Sequence, residues 1–155
     1  MTPARSEAAD RVDELLERIL AAVGIDASID IAEDDDALTA VIDGDDLGLL
    51  IGRHGQTIDA IQHLAYRAAF RGAEGRKRVT VDAAGYRERR AALLQHDADE
   101  AVEEALRIEA PVALDAMNAV ERRVVHEYLR DRDEIETYSE GVEPDRHLVV
   151  APITR

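Results

Sequence analysis

The chain has 155 residues, 46% hydrophobic, 34% charged and 3% aromatic, with a formal net charge of −15. That length fits one ordinary domain or two small ones, and the composition is too apolar for a disordered chain. The lack of cysteine excludes disulfides, cysteine-ligated zinc and thiol catalysis, and no apolar run approaches the roughly 18–20 residues that span a bilayer.

The N-terminus, Met1-Thr2-Pro3-Ala4-Arg5, runs straight into an amphipathic pattern, so no cleavable signal peptide and a cytoplasmic setting are expected. Residues 6–23 predict a helix. Val12, Leu15, Leu16, Ile19, Leu20 and Val23 recur at three- and four-residue spacing, and Gly24 ends the pattern. Two alternating runs, 27–31 and 38–42, predict an antiparallel hairpin closed by acidic residues 33–36. Gly44-Asp45-Asp46 predicts a turn that caps a short helix through Ile51. Ile58, Ile61, Leu64, Ala65 and Ala68 then mark one face of a longer helix ending near Gly72, and residues 76–83 alternate as a third strand.

Between the two middle helices stands Ile51-Gly52-Arg53-His54-Gly55-Gln56-Thr57-Ile58. Glycines three apart, with basic residues between them, suit a loop whose main chain a nucleic-acid backbone approaches, because glycine lacks a Cβ and moves freely in φ. The helix opening at Gln56 would aim unsatisfied N–H groups and a positive dipole end at a phosphate. A glycine pair alone also fits a plain helical corner with a glycine cap.

Residues 86–108 predict a second long helix with Leu94, Ala98, Ala101, Val102, Ala105 and Ile108 on one side, stopped by Ala110-Pro111. A short strand at 112–114 follows. Asn118 caps another helix that reaches about Leu129, and Glu121 stands where a capping box needs it. Val120, Val124 and Val125 are expected to face a core, while Arg122 and His126, four apart, share a face and can hold one anion between them. An isolated pair at this spacing equally fits a solvated face. Alternating segments 134–139 and 146–151 close the chain.

Charge is distributed unevenly. Residues 1–50 carry −11, residues 51–90 carry +5 from nine basic and four acidic side chains, residues 91–115 carry −6, and residues 116–155 carry −3. The positive charge starts at the glycine loop, so an acidic body would repel nucleic acid everywhere except at that face.

The order α-β-β-α-α-β, with Ile-Gly-x-x-Gly-x-x-Ile between the middle helices, resembles a type II KH domain over residues 6–84. The resemblance implies that Gly52, Arg53, His54 and Gly55 clamp the backbone of about four nucleotides. Ile51, Gln56 and Ile58 would border the groove, and Arg76, Lys77 and Arg78 would neutralise phosphates. Arg122 and His126, followed by Tyr138-Ser139-Glu140-Gly141 and Arg146-His147-Leu148-Val149-Val150, resemble an R-three-H domain over residues 86–152, which begins with the long connecting helix. There the pair is the Arg-x-x-x-His motif, with Arg123 and Arg146 as phosphate partners and Tyr138 as a base-stacking candidate.

A KH domain followed by an R-three-H domain resembles the bacterial Jag family, also called KhpB or SpoIIIJ-associated proteins. The expected fold class is therefore α+β, a type II KH domain and then a small α/β domain. The resemblance implies a single-stranded RNA-binding protein, with RNA favoured over DNA on that ground alone. It also implies a small KH-only protein partner or self-association, and roles in RNA chaperoning and cell elongation or division. Many family members carry an extra N-terminal domain, which this sequence is expected to lack. No enzymatic activity, cofactor, metal or membrane insertion is expected. Asp34-Asp35-Asp36 lacks the glycine and distal glutamate of a calcium loop and predicts a solvated turn. The alternative from another class is a protein-interaction adaptor that recruits a partner through the acidic N-terminal helix and sheet and uses the KH fold as a dimerisation platform.

Overall fold

In the computed structural model, which describes residues 4–72 and 77–154, the first helix is bounded by its own sequence signals. Helix α1 (Glu7–Val23) starts at Ser6, whose Oγ accepts the Ala9 N–H at 3.1 Å, and ends at Gly24, which takes φ 72°. Its stripe of Ala9, Val12, Leu16 and Leu20 is buried. Strands β1 (Ser28–Glu33) and β2 (Ala37–Asp43) form the expected hairpin, with Ile29 opposite Ile42 and Ile31 opposite Ala40. Asp34 closes it, its Oδ1 accepting the N–H groups of Asp36 and Ala37, both at 2.8 Å. The acidic run is a turn built on its own backbone.

Helix α2 (Gly48–Ile51) is short, and its N-cap is Leu47 with no side-chain cap, so residues 44–46 do not cap it as expected. Gly44 is instead pressed against the first strand's approach: a Cβ there would lie 3.0 Å from the Ala27 Cβ and 3.1 Å from the Asp26 carbonyl oxygen. After a single 3-10 turn, Arg53–Gly55, helix α3 (Gln56–Ala69) buries Ile58, Ile61, Ala65 and Ala69. It stops three residues before Gly72, and Leu64 is 52% exposed, because Ala65 and Ala69 continue the buried row instead. Strand β3 (Arg78–Ala83) lies parallel to β2, pairing Leu38 with Val79 and Ala40 with Val81. The sheet order β1-β2-β3 leaves β3 as an edge. Helices α1 and α3 pack on each other over one buried cluster with the sheet, and each fully buried Leu, Ile or Val there contributes about 1.5–3 kcal/mol.

The chain divides into two compact units, Met1–Arg87 and Glu88–Arg155. Helix α4 (Tyr86–Ile108) begins at the end of the first unit, and in the second it buries Leu94, Ala98, Ala101, Val102 and Ala105, whereas Ile108 is 43% exposed. Strands β4 (Val112–Ala113), β5 (Ile135–Glu140) and β6 (His147–Pro152) form an antiparallel sheet in the order β4-β6-β5. Helix α5 (Ala119–Leu129) lies between β4 and β5 in sequence and is capped by Asn118, whose side chain accepts the Glu121 N–H at 2.9 Å.

The buried face of α5 differs from the expected one. Glu121, Arg122, Val125 and Leu129 are buried, while Val120 is 72% exposed and Val124 is also exposed. The Glu121 carboxylate does not turn back to complete a capping box. It takes the Arg90 guanidinium of α4 at 2.7 and 3.3 Å, and this ion pair ties the two helices together. Both units are mixed helix and sheet, the α+β class the element order implied.

Candidate nucleic-acid interface

The glycine loop is held by backbone conformations that other residues adopt at a cost. Gly52 sits at φ 72° and ψ −179°, a region open essentially to glycine alone, and a Cβ there would fall 2.2 Å from the Thr57 Oγ1. His54 is left-handed at φ 55°, and Gly55 is left-handed at φ 77°. A Cβ on Gly55 would lie 2.7 Å from Cε1 of Tyr86. The place a Cβ would take at each glycine is therefore filled by Thr57 and Tyr86. Close internal packing bends the loop so that Arg53 and His54 stand exposed at its tip. Gly55 is the N-cap of α3 and offers no side-chain acceptor, and the N–H of exposed Gln56 donates to the Arg53 carbonyl within the 3-10 turn.

Beside the loop, the free edge of β3 is partly occupied. The Val81 N–H donates to the Gln62 Oε1 at 3.0 Å, and the Val81 carbonyl accepts from the Arg87 Nε at 3.0 Å. Arg87 also reaches the Asp59 carboxylate at 2.8 Å. Lys77 donates from Nζ to the Glu33 carboxylate at 2.9 Å and to the Asp34 carbonyl at 2.6 Å. The lysine charge thus serves the hairpin, and Glu33 is held below the usual carboxylate range by the Ser6 hydroxyl and then by Lys77. Arg78 is exposed on β3, and Arg76 lies outside the described residues. At least three of the nine cations that made residues 51–90 positive are engaged inside the fold: Lys77, Arg87 and Arg90.

In the second unit, Arg122 and His126 do share a face of α5, and both line one open depression of about 410 Å³ with Arg123, Thr137, Tyr138 and Arg146. Their situations differ. Arg122 is 8% exposed, and its guanidinium donates to the Met117 carbonyl at 2.5 Å and to the Glu143 carboxylate at 2.6 Å. It fastens the start of α5 to the turn before β6. The His126 Nδ1 hydrogen-bonds the Thr137 Oγ1 on β5, so an outside ligand meets its Nε2. Arg123 is exposed, and Arg146 is half-buried with Nη1 donating to the Gly141 carbonyl at 2.7 Å. Tyr138 is 44% exposed on β5, opposite Val149 of β6.

Sequence reasoning did not find Thr57, Gln62, Tyr86, Arg87 or Thr137. Each meets its partner through tertiary packing, and no local spacing marks it. Among the described residues, no cluster of three or more His, Asp or Glu is placed to hold a metal ion, and no helix is long and apolar enough to cross a membrane.

A glycine-looped α-β-β-α-α-β unit followed by an Arg-x-x-x-His unit defines a KH/R-three-H protein. The family model for the KH domain of KhpA/KhpB matches residues 9–82, and that for the R-three-H domain matches residues 92–152. The chain is 33% identical over 144 residues to the RNA-binding protein KhpB of Clostridium symbiosum, covering 92% of this chain and 65% of that one. It is 35% identical over 158 residues to the protein of the same name from Lactiplantibacillus plantarum, covering 97% and 49%. With the Bacillus subtilis protein, again RNA-binding protein KhpB, it shares 32% over 138 residues, covering 88% and 66%. The chain belongs to the KhpB family. It spans about half to two thirds of the length of these curated relatives.

Proposed function

We propose that the chain binds single-stranded RNA through two separate grips, one in each unit. The observation that carries the reading is the pair Arg53 and His54, exposed at the tip of a left-handed loop that opens onto the uncapped start of α3. Cations at a loop tip beside the positive dipole end of a helix together suit a phosphate. In the second unit, His126, Arg123 and Arg146 offer the anion contacts, Arg122 positions their scaffold, and Tyr138 is exposed enough to stack on a base. RNA is preferred over DNA because the relatives are named RNA-binding proteins.

Of the nucleic-acid contacts expected in the first unit, the proposal keeps Gly52, Arg53, His54, Gly55, Gln56 and Arg78, and gives Lys77 a structural role. About six phosphate contacts at roughly 0.7 each would give a salt slope near −4. With few aromatic side chains, each unit binds modestly, and tethering the two raises affinity through effective concentration. The role is non-catalytic and cytoplasmic. The family likeness extends it to RNA chaperoning or post-transcriptional control linked to cell elongation or division, with a small KH-only partner.

The deciding experiment replaces Arg53 and His54 by aspartate and measures retention of a single-stranded RNA in a filter assay. Loss of retention with unchanged thermal unfolding is expected. Retention equal to that of the unaltered protein overturns the loop grip.

A further inference from the structure

We propose that the first unit carries an additional RNA contact surface, an arginine and aromatic strip running from α1 to the C-terminal end of α3. The proposal rests on the single-stranded RNA reading above and names a surface remote from the glycine loop. Arg11 and Arg18 of α1 line an open depression of about 480 Å³ together with Arg71, which follows α3. Leu15 and Ala68 give it an apolar floor, and Glu14 stands at its rim. Arg71 also lines a neighbouring depression of about 290 Å³ with Tyr66, Arg67 and Phe70. The two hollows thus share Arg71 in their linings.

Residues 1–50 hold three basic side chains against fourteen acidic ones, and two of those three converge on this strip. Along the two linings Arg11, Arg18, Arg67 and Arg71 stand against one carboxylate, Glu14. Its arginines are loosely held: Arg11 pairs with Glu7 at 2.5 Å and Arg18 with Glu14 at 3.9 Å, in exposed i,i+4 pairs on the helix surface. Such pairs are weak and screened by salt, so a chain of phosphates can displace them.

The aromatics favour a nucleic acid over an acidic peptide. The chain has five aromatic residues, and two of them, Tyr66 and Phe70, meet here edge-on with centroids 5.5 Å apart. Both are half-buried against the core, which fixes them in place while part of each ring stays exposed. Cations along a groove beside fixed ring surfaces are what a single strand requires, phosphates on one and bases on the other. Helix α3 has 14 residues, so its far end lies about 20 Å from the loop. A strand gripped at Arg53 would need several further nucleotides to reach it.

The test compares two RNA probes, one of about four nucleotides, the length a single KH loop clamps, and one of about twenty. The proteins are the full chain, the double substitution Arg67→Gln with Arg71→Gln, and the double substitution Arg11→Gln with Arg18→Gln. For each double substitution, the salt slope on the long probe is expected to fall by about 1.4, roughly 0.7 per lost phosphate contact, with the short probe unaffected. Ultraviolet cross-linking of the long probe to the unaltered chain is expected to mark Tyr66 or Phe70. An unchanged long-probe slope overturns the strip, as does an equal loss on both probes or cross-links confined to other positions. Retention of polyglutamate that the substitutions abolish without touching RNA also overturns it. If the unaltered chain binds neither probe, the RNA reading itself falls. If it binds both and the substituted chains match it, only the strip falls.

Discussion

The ring of Tyr86 occupies the place where a side chain on Gly55 would begin, with Cε1 2.7 Å and the hydroxyl oxygen 2.8 Å from an ideal Cβ. The second glycine of the loop is therefore a packing requirement of the unit as well as a conformational one. The first glycine is bound in the same way by Thr57. Substituting either glycine disturbs the fold before it reports on any ligand, which makes the exposed Arg53 and His54 the cleaner probes of function.

Gly52→Ala, in a backbone region reserved for glycine, and Gly55→Ala, left-handed and against the Tyr86 ring, are each expected to lose about 1–3 kcal/mol in denaturant unfolding. For Gly55→Ala, a second substitution, Tyr86→Ala, removes the clash and leaves only the φ penalty. The double substitution should therefore be more stable than the two single losses added together. Strict additivity would show that the ring is not what excludes the methyl group.

The N-terminal end of α5 separates a cap from an ion pair. Asn118→Ala removes one accepted N–H and is expected to lose about 1 kcal/mol. Glu121→Ala leaves the half-buried Arg90 guanidinium without its carboxylate and is expected to lose about 3 kcal/mol. Chemical denaturation of the two single substitutions measures the difference. Equal losses would mean that the Arg90–Glu121 pair gains no more from burial than a surface pair.

Arg122 and the other two arginines of its depression should part company in paired assays. Arg122→Ala breaks the contacts to Met117 and Glu143 at a buried site and is expected to lower stability by about 2–4 kcal/mol. Arg123→Ala and Arg146→Ala are expected to leave unfolding within about 1 kcal/mol of the original and to flatten the salt dependence of RNA binding by roughly 0.7 each. An Arg122→Ala protein of unchanged stability that loses RNA would return that side chain to the ligand.

Glu33 predicts a pH dependence. The Ser6 hydroxyl, at 2.8 Å, and then Lys77 depress its carboxyl in the folded state. A depressed folded value adds stability above the unfolded value, about 4.3, and that stability is lost as pH falls through the folded value. Glu33→Gln should therefore melt below the unaltered protein at pH 7, and the gap should close as pH drops below about 4. A gap that stays constant from neutral to acid pH would show that the ionised carboxylate is not its source.

Local signals in the sequence settled the elements whose causes are themselves local. Ser6 and Gly24 bound α1 because a hydroxyl cap and a left-handed glycine act within one turn, and the hairpin follows from its alternating runs. The glycine loop was legible for the same reason, as was the shared face of Arg122 and His126 four residues apart. Which face of α5 is buried was not legible, because valines at 120, 124 and 125 point around the helix. Arg122 goes inside only because Met117 and Glu143, the latter 21 residues away, satisfy its donors. Lys77 meets Glu33 across 44 residues, and Tyr86 meets Gly55 across 31. Residue order alone places the positive charge and the glycines. Which cations remain at the surface, and what fills the space beside the glycines, follows from folding, because burial and ion pairing are settled by residues far apart in the chain.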